Sequence, residues 1–187
     1  MSLLPIDFKK YQNEYAIECK AIQEYFRINF NVPVFLVYGT LLGCVQSQSF
    51  ISFDDDIDLS YMSNKHTAQE VVQEMKMFYE KLNADGLLAH IKNHTGQAWV
   101  YSPSKNIMVD MWTSWTDANN KFYCVNWVDG CFHKDSVVPF AIGKLANEKF
   151  FIPKQHAQLL QYWYGDWKTP QPRKKHMRMS YYLPKEK

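Results

Sequence analysis

The sequence contains no C-x-x-C pair. Its four cysteines, Cys19, Cys44, Cys124 and Cys131, are scattered, which points to reduced core thiols rather than a disulfide framework. Cys124, Cys131 and His133 lack a fourth ligand and have the wrong spacing for structural zinc. The start of the chain has no basic region followed by an apolar run, and no later stretch approaches the roughly 18 apolar residues of a membrane span. The expected location is therefore cytoplasmic, and the formal sequon at Asn93-His-Thr carries no weight. Charge of one sign is also missing. With 21 basic and 19 acidic residues and a net charge of +2, there is no basic stripe of the kind a nucleic-acid binder shows, and no nucleic-acid partner is expected. No internal repeat or low-complexity block points to a solenoid or a linker.

What is present is a chain of 187 residues, 47% hydrophobic and 16% aromatic, enough for one domain with an aromatic-rich core. The reading is a single domain over 1–172 with a basic tail over 173–187. Tyr11, Tyr15, Cys19, Ile22 and Phe26 recur at helical spacing and predict a helix over about residues 7 to 30. Val34 to Tyr38 reads as a buried strand, and Thr40 to Val45 as a short helix that Thr40 caps. A helix stripe follows from Ala68 to Leu82, with strands at Leu87 to Lys92, Gln97 to Tyr101, Ile107 to Ser114 and Lys121 to Val128. A loop is expected at Gly130 to Ser136, then a hairpin over Ala141 to Ile152. The last helix, Gln155 to Tyr164, should end at Gly165. The fold class is α+β, a mixed β-sheet with flanking helices.

One segment concentrates charge. Asp54, Asp55, Asp56 and Asp58 place four carboxylates within five positions, a self-repelling run that a cation would relieve. Asp56-Ile-Asp-Leu alternates acid with apolar residue, so a strand through it would put Asp56 and Asp58 on one face. Hard oxygen ligands so placed suit Mg²⁺ or Mn²⁺, which takes few carboxylates and completes its shell with water and phosphate. Upstream, Tyr38-Gly39-Thr40 sits at a strand-to-helix turn where backbone amides can approach a phosphate. Lys92 is a further candidate for phosphate contact, against the simpler reading of a solvated strand lysine.

A glycine turn after a strand, followed by a D-h-D-h strand (h, apolar), resembles the nucleotidyltransferase superfamily. That likeness implies a nucleotidyltransferase-like sheet and a third carboxylate on a later strand, a place that Asp110 fills in Val109-Asp-Met-Trp112. Tyr38-Gly-Thr-Leu-Leu-Gly43 with Phe50-Ile-Ser-Phe-Asp-Asp-Asp-Ile-Asp58 is more narrowly similar to the LicD family of phosphocholine and polyol-phosphate transferases, which includes the fukutin-type enzymes. Val138-Pro-Phe, Phe151-Ile-Pro and Tyr164-Gly-Asp-Trp resemble that family's later pattern in order. Gln46 and Ser52 depart from it, Gln46 where the family usually carries arginine.

The resemblance implies transfer of a phospho-alcohol group from a CDP-activated alcohol, the donor substrate, to a hydroxyl of a glycan acceptor, with release of CMP. Asp56, Asp58 and Asp110 would be the metal ligands and catalytic carboxylates, with Asp110 either a ligand or the base. Tyr38, Gly39, Thr40 and Lys92 would contact the donor, and Asp54 and Asp55 would order the loop. A nucleotidyltransferase moving NMP from an NTP uses the same three aspartates and stays open as a second reading. An inactive scaffold binding glycan or protein is a third. The tail residues Arg173, Lys174, Lys175 and Arg178 could meet anionic lipid at the inner face of the membrane or remain solvated.

Overall fold

A computed structural model of the chain describes residues 3–5, 7–92, 96–124 and 128–169. The basic tail with Arg173, Lys174, Lys175 and Arg178 lies outside them, as do Asn93 and His94. The described residues form α1 (Gln12–Phe30), β1 (Val34–Leu36), α2 (Tyr38–Ser47), β2 (Asp58–Met62), α3 (Ala68–Ala84), β3 (Leu88–Lys92), β4 (Gln97–Tyr101), β5 (Met108–Thr116), β6 (Lys121–Cys124), β7 (Val128–His133), a 3₁₀ turn (Lys134–Ser136), β8 (Ala141–Leu145), β9 (Glu148–Ile152) and α4 (His156–Tyr164). Nine strands make one mixed sheet in the order β3-β4-β5-β2-β1-β9-β8, with β6 and β7 continuing from β5.

The helices form where periodicity and capping agree. α3 opens with a capping box in which Thr67 and Glu70 exchange hydrogen bonds, and it buries Val71, Met75, Phe78 and Leu82 at helical spacing. α1 is shorter than expected because the Asp7 carbonyl accepts from the Lys10 and Tyr11 amides, making a turn ahead of Gln12. α2 begins at Tyr38 rather than Thr40, with Val37 as its cap residue. Tyr38 holds a positive φ of 43°, a left-handed turn uncommon for a residue with a Cβ. Its buried ring packs against Trp112 and Trp163, and its hydroxyl meets Cys124 Sγ at 3.1 Å.

Two expectations about strands need correction. β2 starts at Asp58, so Asp56 belongs to the loop that enters the strand rather than to the strand itself. The segment expected to loop at Gly130 to Ser136 instead holds most of β7, paired antiparallel to β6, with the 3₁₀ turn after it. Gly130 is there for close approach: a Cβ would lie 2.7 Å from the Tyr123 hydroxyl oxygen of the partner strand.

The centre of the sheet positions the acids. β2 pairs parallel with β5 in a register that sets Asp58 beside Asp110 and Ser60 beside Trp112. β4 pairs antiparallel with β5, setting Trp99 beside Asp110 and Gln97 beside Trp112, and Lys92 on β3 lies opposite Gln97. Since side chains alternate along strands, Lys92, Trp99, Asp110 and Asp58 share one face. On the other face Tyr61 stacks on Phe26 of α1 and lies against Phe78 of α3.

Candidate metal and phosphate site

Carboxylate oxygens of Asp56, Asp58 and Asp110 lie within 4.8 Å of one another, as do those of Asp54, Asp55 and Asp56. These are the two groups of that kind among the described residues. The pairing of β2 with β5 brings Asp58 and Asp110 together, and Asp56 reaches them from the loop. That loop curls tightly, the Asp54 amide donating to the Ile51 carbonyl at 3.0 Å.

Asp58 and Asp110 are held by the fold. Asp58 is 6% exposed and accepts from the Trp112 indole at 2.9 Å. Its backbone N–H donates to Thr40 Oγ1 at 2.8 Å, which locks the start of β2 to α2. Asp110 accepts from the Gln97 side-chain amide. Gly39 lies directly under Asp54: a Cβ there would overlap the Asp54 carboxylate and sit 3.6 Å from Asp58 Oδ2.

The charges oppose one another. Burial, then the charge of Asp56, drives the Asp58 carboxyl well above the usual carboxylate range, with the Trp112 indole pulling the other way. Burial and Asp56 push Asp110 up to about 6, while Lys92 lowers it. Asp54 is pushed up to about 7 by burial and by Asp56. Asp56 has an edge open to solvent, and desolvation by the surrounding loop followed by Asp55 raises it. A cluster that resists full ionisation and offers several convergent oxygens fits a hard divalent cation, which supplies the missing positive charge.

The other candidates sort themselves by position. The side chains of Tyr38 and Thr40 are buried, at 1% and 2% exposure, and serve the core and β2. That leaves the backbone amides of Gly39 and Thr40 as the groups that could meet phosphate. Lys92 lies near enough to lower both Asp56 and Asp110, and its ammonium sits 5.8 Å from the Trp99 ring centroid. Gln46 donates to the Trp167 carbonyl, tying α2 to the segment after α4. His90 lies against Trp99, and Cys124 is buried while Cys131 is exposed. Sequence reasoning missed two supports, Trp112 and Gln97, and one buried neighbour, Tyr164. Strand alternation could have found the first two. The buried Tyr164 phenol titrates upward through burial first, then Asp58 and Asp54, a proximity that α4 creates and no motif announces.

A mixed sheet that presents carboxylates from adjacent strands beside a helix N-terminus has the plan of a nucleotidyltransferase-like domain. The chain belongs to the family described as LicD/FKTN/FKRP, nucleotidyltransferase domain, whose sequence model matches residues 31–155. No curated protein matches it. Among solved structures, it is similar to a STING-associated CdnE c-di-GMP synthase from Capnocytophaga granulosa, at 12% identity and a TM-score of 0.44, over 84% of this chain and 48% of that one. The chain thus spans about half the length of that structure.

Among the described residues no helix is long and apolar enough to cross a membrane.

Proposed function

We propose that the protein is a divalent-metal-dependent transferase that moves a phospho-alcohol group from a CDP-activated alcohol to a glycan hydroxyl. The observation that carries this reading is the convergence of Asp56, Asp58 and Asp110 within 4.8 Å inside a LicD-type domain. These three carboxylates would hold Mg²⁺ or Mn²⁺, which when bound would neutralise the donor diphosphate and the charge developing on the departing CMP. The acceptor oxygen attacks the phosphorus that carries the alcohol, and the bond from that phosphorus to the CMP oxygen breaks. CMP leaves with the electron pair. Where Asp110 is not a ligand, its carboxylate takes the acceptor proton. The amides of Gly39 and Thr40 at the N-terminus of α2, together with Lys92, orient the donor phosphates.

Thermal stabilisation by Mg²⁺ with CDP-choline, CDP-ribitol, CDP-glycerol or ATP tests the reading. A CDP-alcohol should stabilise most, with CMP released when a glycan acceptor is supplied. Preference for ATP, with NMP left on the acceptor, would replace it with nucleotidyl transfer.

A further inference from the structure

The strands carry Asp58 and Asp110, but Asp56 arrives on a loop and needs a support of its own. The loop leaves α2 where the Ser49 amide donates to the Gly43 carbonyl at 3.4 Å, and it ends where the Asp110 amide donates to the Ile57 carbonyl at 2.8 Å. Near its start stands Phe50, a buried ring. Phe8 stacks on it with centroids 5.2 Å and planes 11° apart, and Tyr15 of α1 meets it edge-on at 5.9 Å.

Phe8 is itself strapped down. It meets Tyr15 edge-on at 4.9 Å, and the Tyr15 hydroxyl donates to the Pro5 carbonyl. The Leu4 amide donates to the Asn106 carbonyl at 2.7 Å, while the Asn106 side-chain amide and the Ser104 hydroxyl both donate to the Glu18 carboxylate. The segment ahead of α1 is thus tied to α1 and to the turn that leads into β5, the strand bearing Asp110. Leu4, Phe8 and Tyr15 share with Asp55, Asp56 and Asp110 the lining of a cleft of about 310 Å³. Leu4, Phe8, Tyr15 and Glu18 all precede residue 31, where the family match begins.

Ile57 fixes where the chain enters β2, but the path back to Phe50 sets the direction from which Asp56 approaches. Held at Ile57 alone, Asp56 would swing through an arc about 7 Å wide, since neighbouring Cα atoms stand about 3.8 Å apart. The three carboxylates converge within 4.8 Å, so that arc is wide enough to take Asp56 out of the group. A cation that must first order the loop binds more weakly, by the fraction of molecules in which the loop is already in place. We infer that Phe8 is a positioning residue for the metal: by holding Phe50 it presents Asp56 to Asp58 and Asp110 in advance, and cation affinity is set in part by a segment outside the family domain. This rests on the divalent-metal reading above.

The test is calorimetric titration with Mg²⁺, well below the melting points, of the wild-type chain and of Phe8→Ala, Tyr15→Phe and Phe78→Ala. Phe8→Ala should bind Mg²⁺ about tenfold more weakly, as for a loop ordered in about one molecule in ten. Tyr15→Phe keeps the ring and frees Pro5, and should lose about two- to fivefold. Phe78→Ala removes an equal ring from contact with Phe26 and Tyr61 on the other face of the sheet and should melt lower yet keep wild-type affinity. In EDTA, chymotrypsin should cut after Phe53, which is 53% exposed, faster in Phe8→Ala than in wild type or Phe78→Ala, a local opening that a general loss of stability does not produce. Wild-type affinity in both Phe8→Ala and Tyr15→Phe, or an equal loss in Phe78→Ala, would overturn the inference and leave the metal reading in place. Should Phe8→Ala not fold, Tyr15→Phe decides on the same terms. No Mg²⁺ binding by the wild type would overturn both.

Discussion

Replacing Asp54 with asparagine should stabilise the metal-free protein at alkaline pH and leave it unchanged in acid. In the fold the Asp54 carboxyl is pushed from 3.8 to about 7, mainly by burial and then by the charge of Asp56. Because the folded value is raised, stability is complete below the unfolded value and is lost as pH climbs through the folded one. A displacement of about three pH units corresponds to roughly 4 kcal/mol at full strength. Asp54 is only half-buried and solvent screens it, so about half of that, ~2 kcal/mol, is the expected net effect.

Asparagine is nearly isosteric and keeps an oxygen for the Asp55 amide, which Asp54 Oδ1 now accepts at 3.2 Å. At pH 8 in EDTA, Asp54→Asn should therefore melt higher by roughly 4 to 8 °C for a chain of this size. At pH 4 the two melting curves should coincide. Scanning calorimetry across that range decides it. A gap that does not change with pH, or a variant less stable at pH 8, would refute the idea that the folded site resists ionisation of Asp54 in the absence of cation. Addition of Mg²⁺ at pH 8 should narrow the gap by favouring the wild type.

Trp112→Phe removes the donor that holds Asp58 at 2.9 Å and should weaken Mg²⁺ binding about tenfold; calorimetric titration showing wild-type affinity would count against the role given to the indole. Thr40→Val deprives the buried Asp58 amide of its acceptor and should cost about 1 to 3 kcal/mol in urea unfolding, whereas Thr40→Ser should recover most of the loss. Gly39→Ala should displace the Asp54 carboxylate that lies against it and weaken the Mg²⁺ response. Made together with Asp54→Ala, the same alanine should be neutral or stabilising by up to about 1 kcal/mol in a double-mutant cycle, since glycine is the poorer helix former.

Much of this site was legible because its specific features are local. The alternation around Asp58, the glycine turn at Gly39 and the acid in Val109-Asp-Met-Trp112 are each contained in a few residues, and the β2–β5 register joined them as the family pattern implied. What escaped is long-range. Thr40 reads as a helix cap, yet its hydroxyl serves a strand amide 18 positions later. Gly130 reads as a loop breaker because the glycine itself does not announce the β6–β7 pairing that brings the Tyr123 ring across it. Alternation alone puts Asp56 in the strand, but pairing starts with the Asp110 amide on the Ile57 carbonyl at 2.8 Å, leaving Asp56 on the approach.

The register of β2 on β5 also makes the site a witness to correct assembly. Asp58 and Asp110 stand 52 residues apart in the chain and meet only through that pairing. A slip of one residue would turn one of them to the opposite face of the sheet. A misregistered chain could keep its helices and much of its apolar contact and still have no pair of acids to offer. Cation binding would then discriminate native molecules from compact impostors, and ligand supply would pull a folding population toward the productive alignment.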